Sequence, residues 1–136
     1  MTIRFYDHTA DIKFRVTETS FNTLLENASK AMFSVIAKTR TLKEDKQVKI
    51  KVKVKKNDEL IIRLLSELLT LHQTKELFFK RLKIIKTDKK TFVEAIAYGE
   101  KMTPQKGRID VKAVTFHEFN FSKKDKKLSC TIILDI

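Results

Sequence analysis

Residues 47–55 read Gln-Val-Lys-Ile-Lys-Val-Lys-Val-Lys, and this run admits one local structure. Val48, Ile50, Val52 and Val54 alternate with Lys49, Lys51, Lys53 and Lys55, a period of two that only an extended strand sorts into two faces. One face is core and the other is lysine, so the chain must build a sheet. The simplest role for the lysines is a solvated face that discourages pairing with a second chain; an electrostatic contact with RNA or an acidic protein is the alternative.

Two segments break that period. From Phe21 to Ile36, apolar residues recur three and four apart (Phe21, Leu24, Leu25, Ala28, Ala31, Met32, Val35, Ile36), which predicts an amphipathic helix with one buried face. Thr19 or Ser20 offers the N-terminal cap. From Leu60 to Leu71 the segment is apolar on nearly every side, which predicts a central helix covered on most sides, capped by Asn57 and Asp58. Strands are expected at 12–17, 77–86, 91–100, 111–121 and 127–135, with turns at Thr87–Lys90 and Ser122–Lys126. The order β-α-β-α-β-β-β-β predicts an α+β class: one domain spanning residues 1–136, two helices packed on a largely antiparallel sheet.

Composition then removes function classes. With two glycines, Gly99 and Gly107, in 136 residues, neither a GxGxxG fingerprint nor a Walker A loop can be written. The lone Cys130 forms no intramolecular disulfide and no CxxC knuckle, and among Leu128, Ile132 and Leu134 it reads as a buried core thiol. The absence of an apolar signal stretch and of any membrane-length apolar run makes a soluble, cytoplasmic protein the expectation. Lysine and arginine number 29 against 17 acidic residues, a net charge of +12. Direct nucleic-acid binding is one use of such a charge, although the aromatic interleaving of a base-stacking surface is weak, since tryptophan is absent and most phenylalanines sit at apolar positions.

Candidate ligands concentrate near the two ends: Asp7, His8 and Asp11 on one side, Asp135 and the carboxylate of Ile136 on the other. If the last strand brings them together, several carboxylate oxygens converge and require a cation or a proton. Oxygen donors suit Ca²⁺ or Mg²⁺; zinc is disfavoured because neither a cysteine nor a second histidine joins His8. The simpler alternative makes Asp7 and Asp11 turn and cap residues and Asp135 a solvated end. His72 reads as a polar tip at a helix end. Lys112, flanked by apolar neighbours, either reaches to solvent or holds a phosphate or an acidic partner, and His117 follows in the same run. No nucleophile elbow or Cys-His arrangement can be assembled, and a two-metal nuclease, conceivable from the carboxylates, would normally want more of them than these.

In combination, the strings Asp7-His8-Thr9-Ala10-Asp11-Ile12, Ala31-Met32-Phe33, Ala97-Tyr98-Gly99-Glu100, Lys112-Ala113-Val114-Thr115-Phe116-His117 and Ile133-Leu134-Asp135-Ile136 resemble the archease family over nearly the whole chain. The resemblance implies a small protein with no covalent chemistry of its own. Its partner would be the GTP-dependent RNA ligase of tRNA splicing, whose guanylylation and multiple turnover it would promote. The net charge, separately, suggests a weak tRNA contact. It also implies a divalent metal site, with Ca²⁺ the first choice and Mg²⁺ or Mn²⁺ the others, at Asp11, Asp135 and Ile136. Lys112 matches a functionally required lysine, and Asp7, His8 and His117 are neighbours of the site. An RNA-binding or RNA-chaperone module in tRNA processing is the alternative function. The sequence departs from the family's habit at Lys13, at Gln73 and in a short loop over Met102–Asp110 that carries Gly107.

Overall fold

The structure is a computed structural model and describes residues 2–6, 11–56 and 59–136. Its elements in chain order are β1 (Thr2–Tyr6), β2 (Asp11–Glu18), α1 (Phe21–Ile36), β3 (Lys46–Lys53), α2 (Leu60–Lys75), β4 (Leu77–Thr87), β5 (Phe92–Lys101), β6 (Ala113–Lys124) and β7 (Lys127–Asp135). The α+β class and both helices stand. The strands, however, divide between two antiparallel sheets rather than forming one: β1-β2-β7-β6 and β3-β5-β4. β1 was not anticipated; it is a five-residue edge strand, most of it exposed, too short for its alternation to register.

Each helix touches strands of both sheets, α1 against β2, β7 and β4, α2 against β3, β4, β5 and β6. That placement explains why α2 is apolar all round: Leu60, Ile61, Ile62, Leu64, Leu65, Leu68 and Leu69 are buried. It also corrects the expectation of a single buried face on α1, where Ser29 and Phe33 are buried as well. Ser29 satisfies its hydroxyl on the Leu25 carbonyl at 2.8 Å, and the Phe33 ring packs 5.6 Å from that of Phe79. Ser20 is the cap of α1, accepting from the Thr23 N–H at 3.1 Å. The cap expected of α2 from Asn57 and Asp58 lies outside the described residues.

The lysine strand behaves as its simplest reading requires. β3 is an edge strand; Ile50 and Val52 are buried while Lys49, Lys51 and Lys53 are exposed, though the strand closes at Lys53 rather than Lys55. Asp88 organises the β4–β5 turn by accepting from the N–H groups of Lys90, Thr91 and Phe92 and from the Thr91 hydroxyl, and these bonds hold its carboxyl well below the usual carboxylate range. The β6–β7 turn is tighter than expected: Lys124 pairs with Lys127, leaving Asp125 and Lys126 alone in the turn, with Asp125 left-handed at φ 58°.

Cys130 is fully buried, and desolvation pushes its thiol up to about 12. The native protein should therefore resist iodoacetamide at pH 8 and be alkylated only in denaturant; rapid native labelling would place the thiol outside the core. No helix is long and apolar enough to cross a membrane.

Candidate functional site: an opposed carboxylate pair

Strands β2 and β7 bury Phe14, Val16, Cys130, Ile132 and Leu134 on one face, so their alternate residues point away from the core. On that outward face the antiparallel register pairs Asp11 with Asp135, Lys13 with Ile133 and Thr17 with Ser129. The last pair is tied by a 3.0 Å contact between the two hydroxyl groups. Directly opposed residues share a face, so two carboxylates project side by side at the end of the sheet. Like charges in this position repel by a modest amount, which a counter-charge relieves.

Lys112 is held beside the pair by backbone. Its N–H donates to the Asp135 carbonyl at 2.7 Å, and Ala113, the first residue of β6, lies opposite Asp135. The preceding Val111 is fully buried, and its carbonyl accepts from Gln73 Nε2 at 3.2 Å. The loop leading in is fastened to the end of α1 by Arg108 N–H to Ile36 O at 2.8 Å and Ile109 N–H to Val35 O at 3.2 Å. The Lys112 side chain is exposed, on a main chain pinned at both sides.

β6 does not continue as a regular strand. Its register with β7 jumps from Thr115/Ile133 to Asn120/Thr131, so Phe116, His117, Glu118 and Phe119 form a bulge, with Glu118 at a left-handed φ of 53°. Glu118 Oε1 pairs with Lys13 Nζ at 3.4 Å, which draws the bulge across the outward face beside Ile133, itself 1% exposed. Lys13 also lies 5.4 Å from the Tyr6 ring centroid. His117 is exposed, its Nε2 3.5 Å from Glu118 Oε2. Phe116 is 55% exposed, with its ring edge-on to Phe119.

The structure thus brings Asp11, Asp135, Ile136 and Lys112 to one end of one sheet, with His117 on the adjoining bulge. Asp7 and His8 lie outside the described residues. Among the described residues no group of three or more His, Cys, Asp or Glu is disposed to hold a metal. The donors that the register does supply, two carboxylates, are hard oxygen ligands, while Cys130 faces inward and is protonated; the chemistry fits Ca²⁺ or Mg²⁺ and does not fit a thiophilic metal.

Three supporting residues were not read as part of the site: Lys13 and Gln73 stood out only as departures from the family's habit, and Glu118 not at all. The Lys13–Glu118 salt bridge and the Gln73 backbone clamp leave no periodic trace. A signal for the bulge did exist, since Phe116 and Phe119 stand three apart inside a strand whose period is two. His72 is also not the polar tip expected. It is buried, with Nδ1 2.6 Å from the Leu77 carbonyl and its ring stacked on Phe78, fastening the end of α2 to β4.

Comparison with known proteins places this architecture. The protein archease of Pyrococcus abyssi is 32% identical over 136 residues, covering 96% of each chain, and that of Sulfurisphaera tokodaii is 30% identical over 134 residues, covering 97% of this chain and 96% of the other. The solution structure of protein 1598 of Methanobacterium thermoautotrophicum superposes with a TM-score of 0.82 at 29% identity over 98% of both chains. An archease from Thermotoga maritima, described as a possible chaperone, shares the fold alone, with a TM-score of 0.71 at 17% identity over 96% of this chain and 94% of that one. The sequence model of the archease protein family matches residues 4–136, and on that match, with these relatives and this fold, the chain belongs to the archease family.

Proposed function

We propose that the protein activates the GTP-dependent RNA ligase of tRNA splicing, promoting its guanylylation and repeated turnover without covalent chemistry of its own. The observation that carries this reading is the register of β2 and β7, which opposes Asp11 to Asp135, together with the Lys112 N–H bond to the Asp135 carbonyl. Asp11, Asp135 and Ile136 would be the oxygen donors to a divalent cation, Ca²⁺ in the first place and Mg²⁺ or Mn²⁺ otherwise, with Asp7 and His8 nearby in sequence. A bound cation would neutralise the pair and present positive charge to a phosphate group.

The protein's own contribution is positioning. A pinned main chain under a free ammonium group aims Lys112 at an anionic partner, and ordering reactants in this way supplies large rate effects without bond chemistry. The test is transfer of the guanylyl group from GTP to the ligase, with and without this protein. The parent should accelerate it strongly, and Lys112→Ala should lose at least about tenfold of that stimulation, in line with removing one charged group aimed at a transition state. Equal stimulation by Lys112→Ala would remove the lysine from the mechanism. Turnover of phosphate esters by the protein alone would make it a phosphohydrolase instead.

A further inference from the structure

The far end of the molecule carries the opposite charge. β7 runs from Lys127 to Asp135, so its start stands about 27 Å from the carboxylate pair, at about 3.4 Å per residue. There the β4–β5 and β6–β7 turns flank a cavity of about 340 Å³ between the first residues of α1 and α2. Its floor is apolar, formed by Phe21, Ile61, Phe121 and Leu128. The three charged residues lining it are Lys89, Lys90 and Lys123, and among the described residues none of these is in an ion pair.

Phe121 is the unusual member. It lies opposite Cys130 on the inward face, yet β6 is the edge strand, and the ring remains 39% exposed with its edge contact to Phe21 at 6.1 Å. Further lysines continue the positive field: Lys124, Lys126 and Lys127 on the same hairpin, then Lys53, Lys55, Lys56 and Arg63 around an adjoining cavity of about 510 Å³. The two cavities share the first turn of α2, and Val54 N–H to Thr91 O, at 2.7 Å, joins the end of β3 to the β4–β5 turn. The acidic residues at this end are Glu18, Glu59, Asp88 and Asp125; Glu18, opposite Leu128, accepts from Asn27 Nδ2 at 2.9 Å, and the Asp88 carboxylate is consumed by its own turn.

An aromatic face ringed by uncommitted lysines is the composition that binds unpaired nucleotides, the ring stacking on a base and the ammonium groups taking the flanking phosphates. An acidic peptide would use the lysines but leave the aromatic floor without a planar partner. A duplex keeps its bases in the stack and cannot reach Phe121. We propose that this cavity is a single-stranded RNA-binding site, in which Phe121 stacks on one base and Lys89, Lys90 and Lys123 hold its phosphates. The site is independent of the carboxylate pair and of the ligase reading.

The test is anisotropy of a short fluorescein-labelled oligouridylate at several salt concentrations. Lys89→Glu/Lys90→Glu/Lys123→Glu should weaken binding at least about tenfold and lower the slope of log affinity against log salt by about 2, the value for three lost phosphate contacts to a single strand. Lys46→Glu/Lys49→Glu/Lys83→Glu, of identical net charge but on exposed positions of β3 and β4, should cost less than about threefold. Phe121→Ala should weaken oligouridylate by about fivefold or more while leaving an abasic strand of equal length unaffected. Because the chain has no tryptophan, Phe121→Trp provides a folded reporter whose emission RNA should quench. Asp11→Asn and Asp135→Asn should bind RNA as the parent does. Equal affinity for abasic and normal strands, equal losses in the two lysine triples, no binding at low salt, or quenching of the reporter by polyglutamate would each overturn the proposal.

Discussion

Asp135→Asn should melt no lower than the parent in EDTA, and should fail to gain the stability that Ca²⁺ confers on the parent. Both halves follow from the direct opposition of Asp11 and Asp135. Without a cation, two carboxylates across one antiparallel pair repel, and neutralising one removes a cost of roughly 0.2–1 kcal/mol. With a cation at about one hundred times its dissociation constant, binding to the folded state alone stabilises by about 2.7 kcal/mol. For a domain of this size that is a rise of about 5–10 °C in Tm. Asparagine keeps the shape and one oxygen but not the charge, so the rise should vanish or shrink to a degree or two. Scanning calorimetry with and without Ca²⁺ decides it, and an equal rise in parent and variant would move the cation elsewhere.

Gly99→Ala should be the most damaging single-methyl change in the protein. β5 is the central strand of its sheet, and a Cβ on Gly99 would lie 1.9 Å from the Phe78 carbonyl oxygen and 2.8 Å from the Phe79 Cα. Both obstacles are main chain, so no rotamer relieves them; β4 and β5 must part where their register already shifts between Phe79 and Arg81. A loss of about 4 kcal/mol or more is expected, the scale of the named severe mechanisms. Gly107 is the internal control. A Cβ there meets the tip of the Phe78 ring at 3.3 Å, a side chain that can yield, and Gly107→Ala should cost less than about 1 kcal/mol. Urea unfolding measures both, and similar midpoints for the two variants would contradict the close approach at Gly99.

Periodicity carried the secondary structure because burial and period coincide in most of the chain. The lysine alternation of β3 and the all-round apolar surface of α2 each had a single structural solution. What periodicity does not carry is partner choice. Val48–Val54 and Ile12–Thr17 look alike as strands, yet one joins β5 and the other β7, and that division into two sheets around the helices depends on contacts remote in sequence. The candidate site was legible for a chemical reason rather than a periodic one: acidic residues at both ends of a basic chain stand out, and a core-bearing final strand must carry Asp135 to the sheet. The register that sets it opposite Asp11 was not legible, nor was the Glu118 bulge, which only a break in alternation betrays. The exposure of Phe121 was not legible either, because an inward-facing residue on an edge strand can still meet solvent.

We propose that the opposed carboxylates, with a cation bound between them, are what activates the ligase. The most direct measurement is guanylylation of the ligase at saturating Ca²⁺ with the parent and with Asp11→Asn/Asp135→Asn, after calorimetry has shown the double variant folded. Stimulation by the parent and a loss of at least about a hundredfold in the double variant, the scale for removing a group that organises a charged transition state, is the predicted result. A folded double variant that stimulates as well as the parent would contradict it.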